Sequence, residues 1–190
     1  VNHLLDEDNT RTILVRPDAL ENNITLIFRN KEKPKLLIEK VDEHDRPVPN
    51  CTFKVARRGS SEYQMVTTGP DGTALVEGLE EDWYQVSEHK AGDGHLIDGT
   101  VRDVQLVAGE NKEIVVKNRR KPSLRIVKTD SATRQPLEGV HFTLAYKDGT
   151  PLGEYVTDQN GEIYLENITP GYIQIKELPF EGYIALNPEQ

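Results

Sequence analysis

Apolar residues recur at every second position in short runs along the chain, as in TFKVA, ALVEGL, YQVSE, VQLV and IVVKN. A period of two is that of a strand with one face buried. Turn residues separate the runs: Pro70-Asp71-Gly72, Gly109-Glu110-Asn111, Asp148-Gly149 and Asn160-Gly161. No stretch keeps a helical period over a useful length. The pattern predicts an all-β protein. Strands this short, at this spacing, point to β-sandwiches.

The chain repeats itself. LLIEKVD (Leu36 to Asp42) aligns with LRIVKTD (Leu124 to Asp130) at an offset of 88. One inserted residue makes the offset 89. Pro47 then falls on Pro136, Phe53 on Phe142, Thr68 on Thr157, Gly72 on Gly161, Gln85 on Gln174 and Glu88 on Glu177. The likeness extends backwards, with Asn30 on Asn118, Pro34 on Pro122 and HLLD (His3 to Asp6) on HLID (His95 to Asp98). Such periodicity marks a tandem array. Three segments are expected. Residues 1–33 are the closing strands of a preceding repeat, 34–121 a complete domain, and 122–190 a domain lacking its closing strands. The joints NKEKPKL and NRRKPSL carry Pro34 and Pro122 and are stiffer than Gly/Ser linkers, which points to an extended rod.

Phase along the strands locates the chemistry. Leu124, Ile126 and Lys128 share a face, as do Leu36, Ile38 and Lys40, although Leu37 and Val41 blur the first set. Tyr84, Val86 and Glu88 are in phase, and so are Ile173, Ile175 and Glu177. Ile114, Val116 and Asn118 form another set; Ile24, Leu26, Phe28 and Asn30 form the last. Each repeat thus aims a Lys, a Glu and an Asn at the core, where a lone polar group is costly. Meeting there, the three satisfy one another. Burial also lowers a Lys pKa and raises a Glu pKa. A neutral amine beside a carboxamide polarised by a carboxyl group can attack it, expel ammonia and leave an isopeptide bond. The alternative for Lys40, Glu88 and Asn118 is an exposed ion pair at a sheet edge beside a turn asparagine.

These residues resemble the Cna-type B domains of Gram-positive surface adhesins and pilins. The segments that carry the likeness are LLIEKVD, RIVKTD, PLEGVHFTL, TDQNGEIYLENITPGYIQIKELPFEGY and IVVKN, and it spans essentially the whole chain. The resemblance implies tandem prealbumin-like (Ig-like) sandwiches. It also implies a Lys40–Asn118 isopeptide bond with Glu88 as acid–base helper. Lys128 and Glu177 are then two members of a second set, expected to stay unreacted because the third is missing in cis. Asn30 is the last member of a preceding set. A sharper possibility is that Asn30 of one molecule meets Lys128 of the next by strand addition, head to tail. The first repeat departs from the family in two loops: Glu81-Asp82-Trp83 replaces the turn at Pro170-Gly171, and HKAGDGH follows Glu88.

Composition narrows the function. The net charge is −9, which disfavours nucleic acid as a partner. No apolar run is long enough to span a membrane. The single cysteine, Cys51, excludes an internal disulfide and, aligned with Val140, reads as a small core residue. His89, Asp93 and His95 read as a glycine-rich loop rather than a metal site, and Asp158 to Gly161 as a hairpin turn rather than a calcium loop. No cofactor is expected. The function expected is a stalk or spacer on a bacterial cell surface, extracellular and anchored to the wall through other regions. It does no turnover chemistry beyond one self-cross-linking event. Its expected partners are neighbouring repeats and other molecules of itself. The alternative is an adhesive module for host matrix or carbohydrate, for which Trp83, Tyr84 and Tyr63 are the aromatic candidates.

Overall fold

The structure is a computed structural model that describes residues 3–4, 10–14 and 25–183. Leu5, Asp6 and Ile24, all used in the sequence comparison, lie outside the described residues. The chain divides into two compact units, Val1–Arg119 and Arg120–Gln190. All regular structure among the described residues is β, as the period of two predicts.

Unit 1 opens with a two-residue pair, β1 (His3–Leu4) and β2 (Lys31–Glu32), antiparallel to each other. Its sandwich is built from β3 (Lys35–Asp42), β4 (Thr52–Arg57), β5 (Tyr63–Thr67), β6 (Thr73–Val76), β7 (Asp82–Lys90), β8 (Val101–Leu106) and β9 (Asn111–Asn118). One sheet has the order β5-β4-β7-β8 and is antiparallel throughout. The other has the order β6-β3-β9, with β3 antiparallel to β6 and parallel to β9. The parallel pairing makes the opening and closing strands neighbours that run the same way, with Ile38 opposite Ile114 and Asp42 opposite Asn118.

The alternating phase has its physical consequence in the core. Leu36, Ile38, Ala74, Val76 and Val116 from one sheet pack against Phe53, Val55, Tyr84, Val86, Val104 and Leu106 from the other. Cys51 joins them, fully buried, as its alignment with the buried Val140 predicts. Val41 and Asp42 are buried as well, so the end of β3 is covered on both sides. That explains why its alternation reads less cleanly in the sequence than that of β9.

Unit 2 contains β10 (Leu124–Val127), β11 (His141–Tyr146), β12 (Pro151–Val156), β13 (Glu162–Leu165) and β14 (Ile173–Glu177). The strands form two sheets, β10-β13 and β12-β11-β14. They repeat the β3–β6 and β5-β4-β7 pairings of unit 1. Val140, Phe142, Leu144 and Ile163 form a small core, while Ile126 and Ile175 are only half-buried against it. The described residues of this unit place no third strand beside β10 and none beyond β14.

Candidate functional site

Three strands of unit 1 aim polar side chains at one point in the core. Lys40 follows Leu36 and Ile38 along the inner face of β3 and is 0% exposed. Asn118 ends β9 in phase with Val116 and is 3% exposed. Glu88 lies on β7 in the opposite sheet, level with Phe53 of β4, and is 7% exposed. The alternative of an exposed edge pair does not describe this geometry.

The hydrogen bonds are specific. The Asn118 side-chain amide donates from Nδ2 to Glu88 Oε1 at 2.7 Å. Glu88 Oε2 accepts the backbone N–H of Asp98 at 2.8 Å. Lys40 Nζ donates to the carbonyl of Val116 at 3.0 Å and to that of Val41 at 3.3 Å. Asn118 Oδ1 is buried and accepts no hydrogen bond among the described residues. An unmet buried acceptor costs about 1–3 kcal/mol, so this oxygen is a stress built into the site.

Burial holds the Lys40 ammonium below its ordinary pKa. Glu88, the Cys51 thiol and Asp98 oppose that shift, and Arg102 adds to it. The amine is therefore easier to deprotonate than an exposed lysine, which is the condition for nucleophilic attack. The neighbouring Cys51 thiol is pushed up by its own burial, against the N–H of Gly92 that donates to its sulfur at 3.0 Å. It is a packing residue beside the site.

Two members of the environment are not visible in the spacing of Lys, Glu and Asn. One is the backbone amide of Asp98, which fixes the Glu88 carboxylate. The other is the Asp98 side chain, which binds Arg102 Nη2 at 2.6 Å and the N–H of Thr100 at 3.0 Å. Burial works to raise the Asp98 pKa, but the Thr100 bonds and Arg102 outweigh it and hold the carboxyl at about 2. The HLID segment that repeats HLLD marked this loop, but a backbone donor leaves no residue signature.

Asp98 gives a pH prediction. Its folded pKa lies below the ordinary aspartate value of 3.8, so its stabilising contribution is complete above about pH 4 and is lost as pH falls toward 2. Asp42 behaves alike: burial opposes the shift, but the N–H groups of Arg46 and His44 and the Arg46 guanidinium hold it well below the carboxylate range. Urea midpoints measured from pH 5 down to 2 are expected to fall, and to fall less in Asp98→Asn. An equal fall in the variant would remove Asp98 from this account.

In unit 2 the equivalent pair is present, and among the described residues no asparagine amide is bonded to it. Lys128 Nζ donates to Glu177 Oε2 at 3.0 Å, with the two side chains 21% and 9% exposed. Asn30 lies in unit 1, exposed, next to β2. Of the aromatic candidates, Tyr84 is buried in the core while Trp83 and Tyr63 are exposed on the outer face of the four-stranded sheet.

Two stretches, residues 34–120 and 122–190, match the model of the SpaA family of prealbumin-like fold domains. The chain belongs to this family. The Collagen adhesin of Staphylococcus aureus is 30% identical over 102 residues, which are 54% of this chain and 8% of the adhesin, so the chain spans a small part of that relative. The shaft pilin SpaA of Lactobacillus rhamnosus GG shares the fold at a TM-score of 0.52 and 14% identity, covering 78% of this chain and 88% of the pilin. The Bacillus anthracis TIE protein is 26% identical at a TM-score of 0.48, covering 87% of this chain and 34% of its own. No helix among the described residues is long and apolar enough to cross a membrane.

Proposed function

We propose that this chain is a load-bearing stalk segment of a bacterial cell-surface adhesin or pilin, and that unit 1 is closed by an isopeptide bond between Lys40 and Asn118. One observation carries the reading: a buried lysine and a buried asparagine lie on the parallel opening and closing strands, and the asparagine amide is bonded to a buried glutamate from the facing sheet.

The chemistry follows from the contacts. A proton passes from the Lys40 ammonium to Glu88, leaving a neutral amine in a low-dielectric site. The amine attacks Cγ of Asn118, so that a bond from Nζ to Cγ forms. The Asn118 oxygen, which accepts no hydrogen bond among the described residues, takes up the developing negative charge. The carbonyl then re-forms, and the Cγ–Nδ2 bond breaks. Glu88, already bonded to Nδ2, supplies the proton with which that nitrogen departs and then takes up one of the two protons on Nζ, so that ammonia leaves and a secondary amide with one N–H remains. Strand pairing gathers the groups in one buried cluster, so no cofactor is needed.

The placement also answers a mechanical need. Tension applied along the chain enters β3 and leaves after β9. With Lys40 joined to Asn118, the load crosses at that bond, and residues 41–117 lie outside its path. Without the bond, β3 and β9 separate by shearing their ladder, and the whole loop extends. Single-molecule pulling on the wild type is expected to show no extension from this loop. Lys40→Ala is expected to release about 78 residues, or roughly 270 Å of contour at full extension. Equal extension in both proteins would defeat the load-bearing reading.

A further inference from the structure

We propose that Asp98 and Arg102 are positioning residues for the unit 1 cross-link: their ion pair latches the loop of residues 91–100 over the end of β9, which aims Glu88 at Asn118 and balances the charge beside Lys40. The bond itself is the one proposed above, and this inference rests on it. The pair controls how fast that bond forms and over which pH range.

The first observation is a charge on a core face. Arg102 lies on β8 in phase with Val104 and Leu106, both buried in the core. It stands opposite Val86 of β7, two residues before Glu88. A charge in such a place is costly unless it is paired. The partner is Asp98, with Arg102 Nη2 2.6 Å from Oδ2 and the two side chains only 28% and 20% exposed. Such a pair contributes little net stability compared with apolar side chains of the same size, so its role is to fix geometry.

The second observation is what the pair holds. The loop between β7 and β8 contains Gly92, Gly94 and Gly99, so its own backbone does little to fix it. Three of its N–H groups bond outside the loop. That of Gly92 donates to Cys51 Sγ at 3.0 Å, that of Leu96 to the carbonyl of Arg119 at 2.8 Å, and that of Asp98 to Glu88 Oε2 at 2.8 Å. Arg119 directly follows Asn118, so the loop is tied to the strand of the asparagine as well as to the glutamate. The Asp98 carboxylate accepts the N–H of Thr100 at 3.0 Å, and Arg102 Nη1 donates to the Thr100 carbonyl at 3.4 Å. Arg102 thus anchors the loop to a strand of the ladder. With Oε2 held by the Asp98 amide, Oε1 is the oxygen left for Asn118 Nδ2. A loop shift of about 1 Å turns Glu88 away from the amide, and misplacement of that size costs about 100-fold in rate.

The third observation is the charge around the amine. Among the described residues, the titratable and charged groups that act on Lys40 are Glu88 from β7, the Cys51 thiol beside β4, Asp98 from the loop and Arg102 from β8. From β9 and from β3 itself, Lys40 Nζ is met by the carbonyls of Val116 and Val41. The Asp98 carboxylate favours the Lys40 ammonium and the Arg102 guanidinium disfavours it, so each offsets the other. Without Arg102, Asp98 holds the proton on Lys40 more firmly and the reaction needs a higher pH. Without the Asp98 charge, Arg102 is unopposed and the reaction proceeds at a lower pH.

The test follows the whole chain from synthesis. It is made in a cell-free reaction, collected in urea and diluted into buffers from pH 5 to 10. Folding is read by the fluorescence of Trp83, the single tryptophan, and ammonia loss by intact mass after an acid quench. Arg102→Ala is expected to fold and then lose ammonia about 10–100 times more slowly than the wild type. The rising limb of its pH profile is expected to move up by about half a unit to one unit. Asp98→Asn is expected to be slowed too, with that limb moved down instead. Arg102→Lys, which keeps the charge, should return the limb to its wild-type position. Arg57→Ala, which breaks a different ion pair with Asp82, should behave as the wild type. Wild-type rate and profile in Arg102→Ala would overturn the proposal and leave the bond standing. Slowing that merely follows slower folding, with the limb unmoved, would reduce the pair to a structural role and overturn the proposal as well. Should Arg102→Ala not fold, Asp98→Asn decides, being close in shape to the wild type: a limb that stays or moves up overturns the proposal. The full mass in the wild type at every pH would overturn this inference together with the bond.

Discussion

Glu88→Gln is expected to weigh one ammonia more than the wild type after correction for the substitution, and to melt far lower in its unit 1 transition. Glutamine keeps the shape of the side chain, but its single carbonyl oxygen replaces only one of the two oxygens that accept from Asn118 Nδ2 and from the Asp98 amide. It cannot take a proton from Lys40 or give one to the leaving nitrogen. Packing is preserved while the proton path is cut, which separates catalysis of the bond from mere filling of the core. The bond closes a loop of about 78 residues, and on the chain-entropy model a cross-link of that span is worth about 4–5 kcal/mol. For a domain of this size that amounts to roughly 20–30 °C in melting temperature. Lys40→Ala and Asn118→Ala should show the same mass, but their melting also carries the cost of a cavity or an orphaned partner. Glu88→Gln is therefore the sharper variant. An unchanged wild-type mass deficit in it would remove Glu88 from the reaction.

The legibility of this site in the sequence was uneven, for physical reasons. Lys40, Glu88 and Asn118 were readable because each ends a run of alternating apolar residues, and a polar residue in phase with a core face is conspicuous. The repeat gave independent registration, since Lys128 and Glu177 hold the same phase in a second frame. The parallel pairing of β3 with β9 was less accessible. Strand neighbours far apart in sequence leave no local mark, and only the likeness to a known family implied that the opening and closing strands meet. The backbone amide of Asp98 was invisible because every residue except proline carries one. The unpartnered oxygen of Asn118 was invisible too, being a property of what surrounds it. Leu37 and Val41 blurred the reading because Leu37 is half-buried and Val41 buried on the face opposite Lys40, and alternation is informative only where one face is wet.

Gly72→Ala is expected to destabilise unit 1 by about 2–4 kcal/mol, measured by urea unfolding in the Glu88→Gln background so that no cross-link obscures the equilibrium. Gly72 has a φ of 75°, a left-handed conformation that costs an L-residue about 1–2 kcal/mol. The remainder is steric and acts on the site itself. A Cβ there would lie 2.6 Å from the carbonyl oxygen of Lys40 and 3.0 Å from both Val48 N and Pro47 Cβ. That carbonyl accepts the N–H of Val48 at 2.9 Å, while the N–H of Lys40 donates to the Gly72 carbonyl at 2.8 Å. The glycine is therefore the close approach that sets the backbone of Lys40, and a methyl group must push β3 away from it. Gly59 separates the two contributions, because it has nearly the same φ, 77°, with nothing within 4 Å of the added atom. Gly59→Ala should cost the conformational part alone. Equal losses in the two variants would mean that the contact with Lys40 relaxes freely. A larger loss at Gly72, accompanied in the Glu88-containing protein by incomplete ammonia release, would tie this turn to the placement of the reacting amine. The same turn recurs at Gly161, whose added Cβ would meet the Lys128 carbonyl, the N–H of Leu137 and Pro136. The glycine that aligns between the two repeats is thus kept by the geometry of the lysine strand it touches.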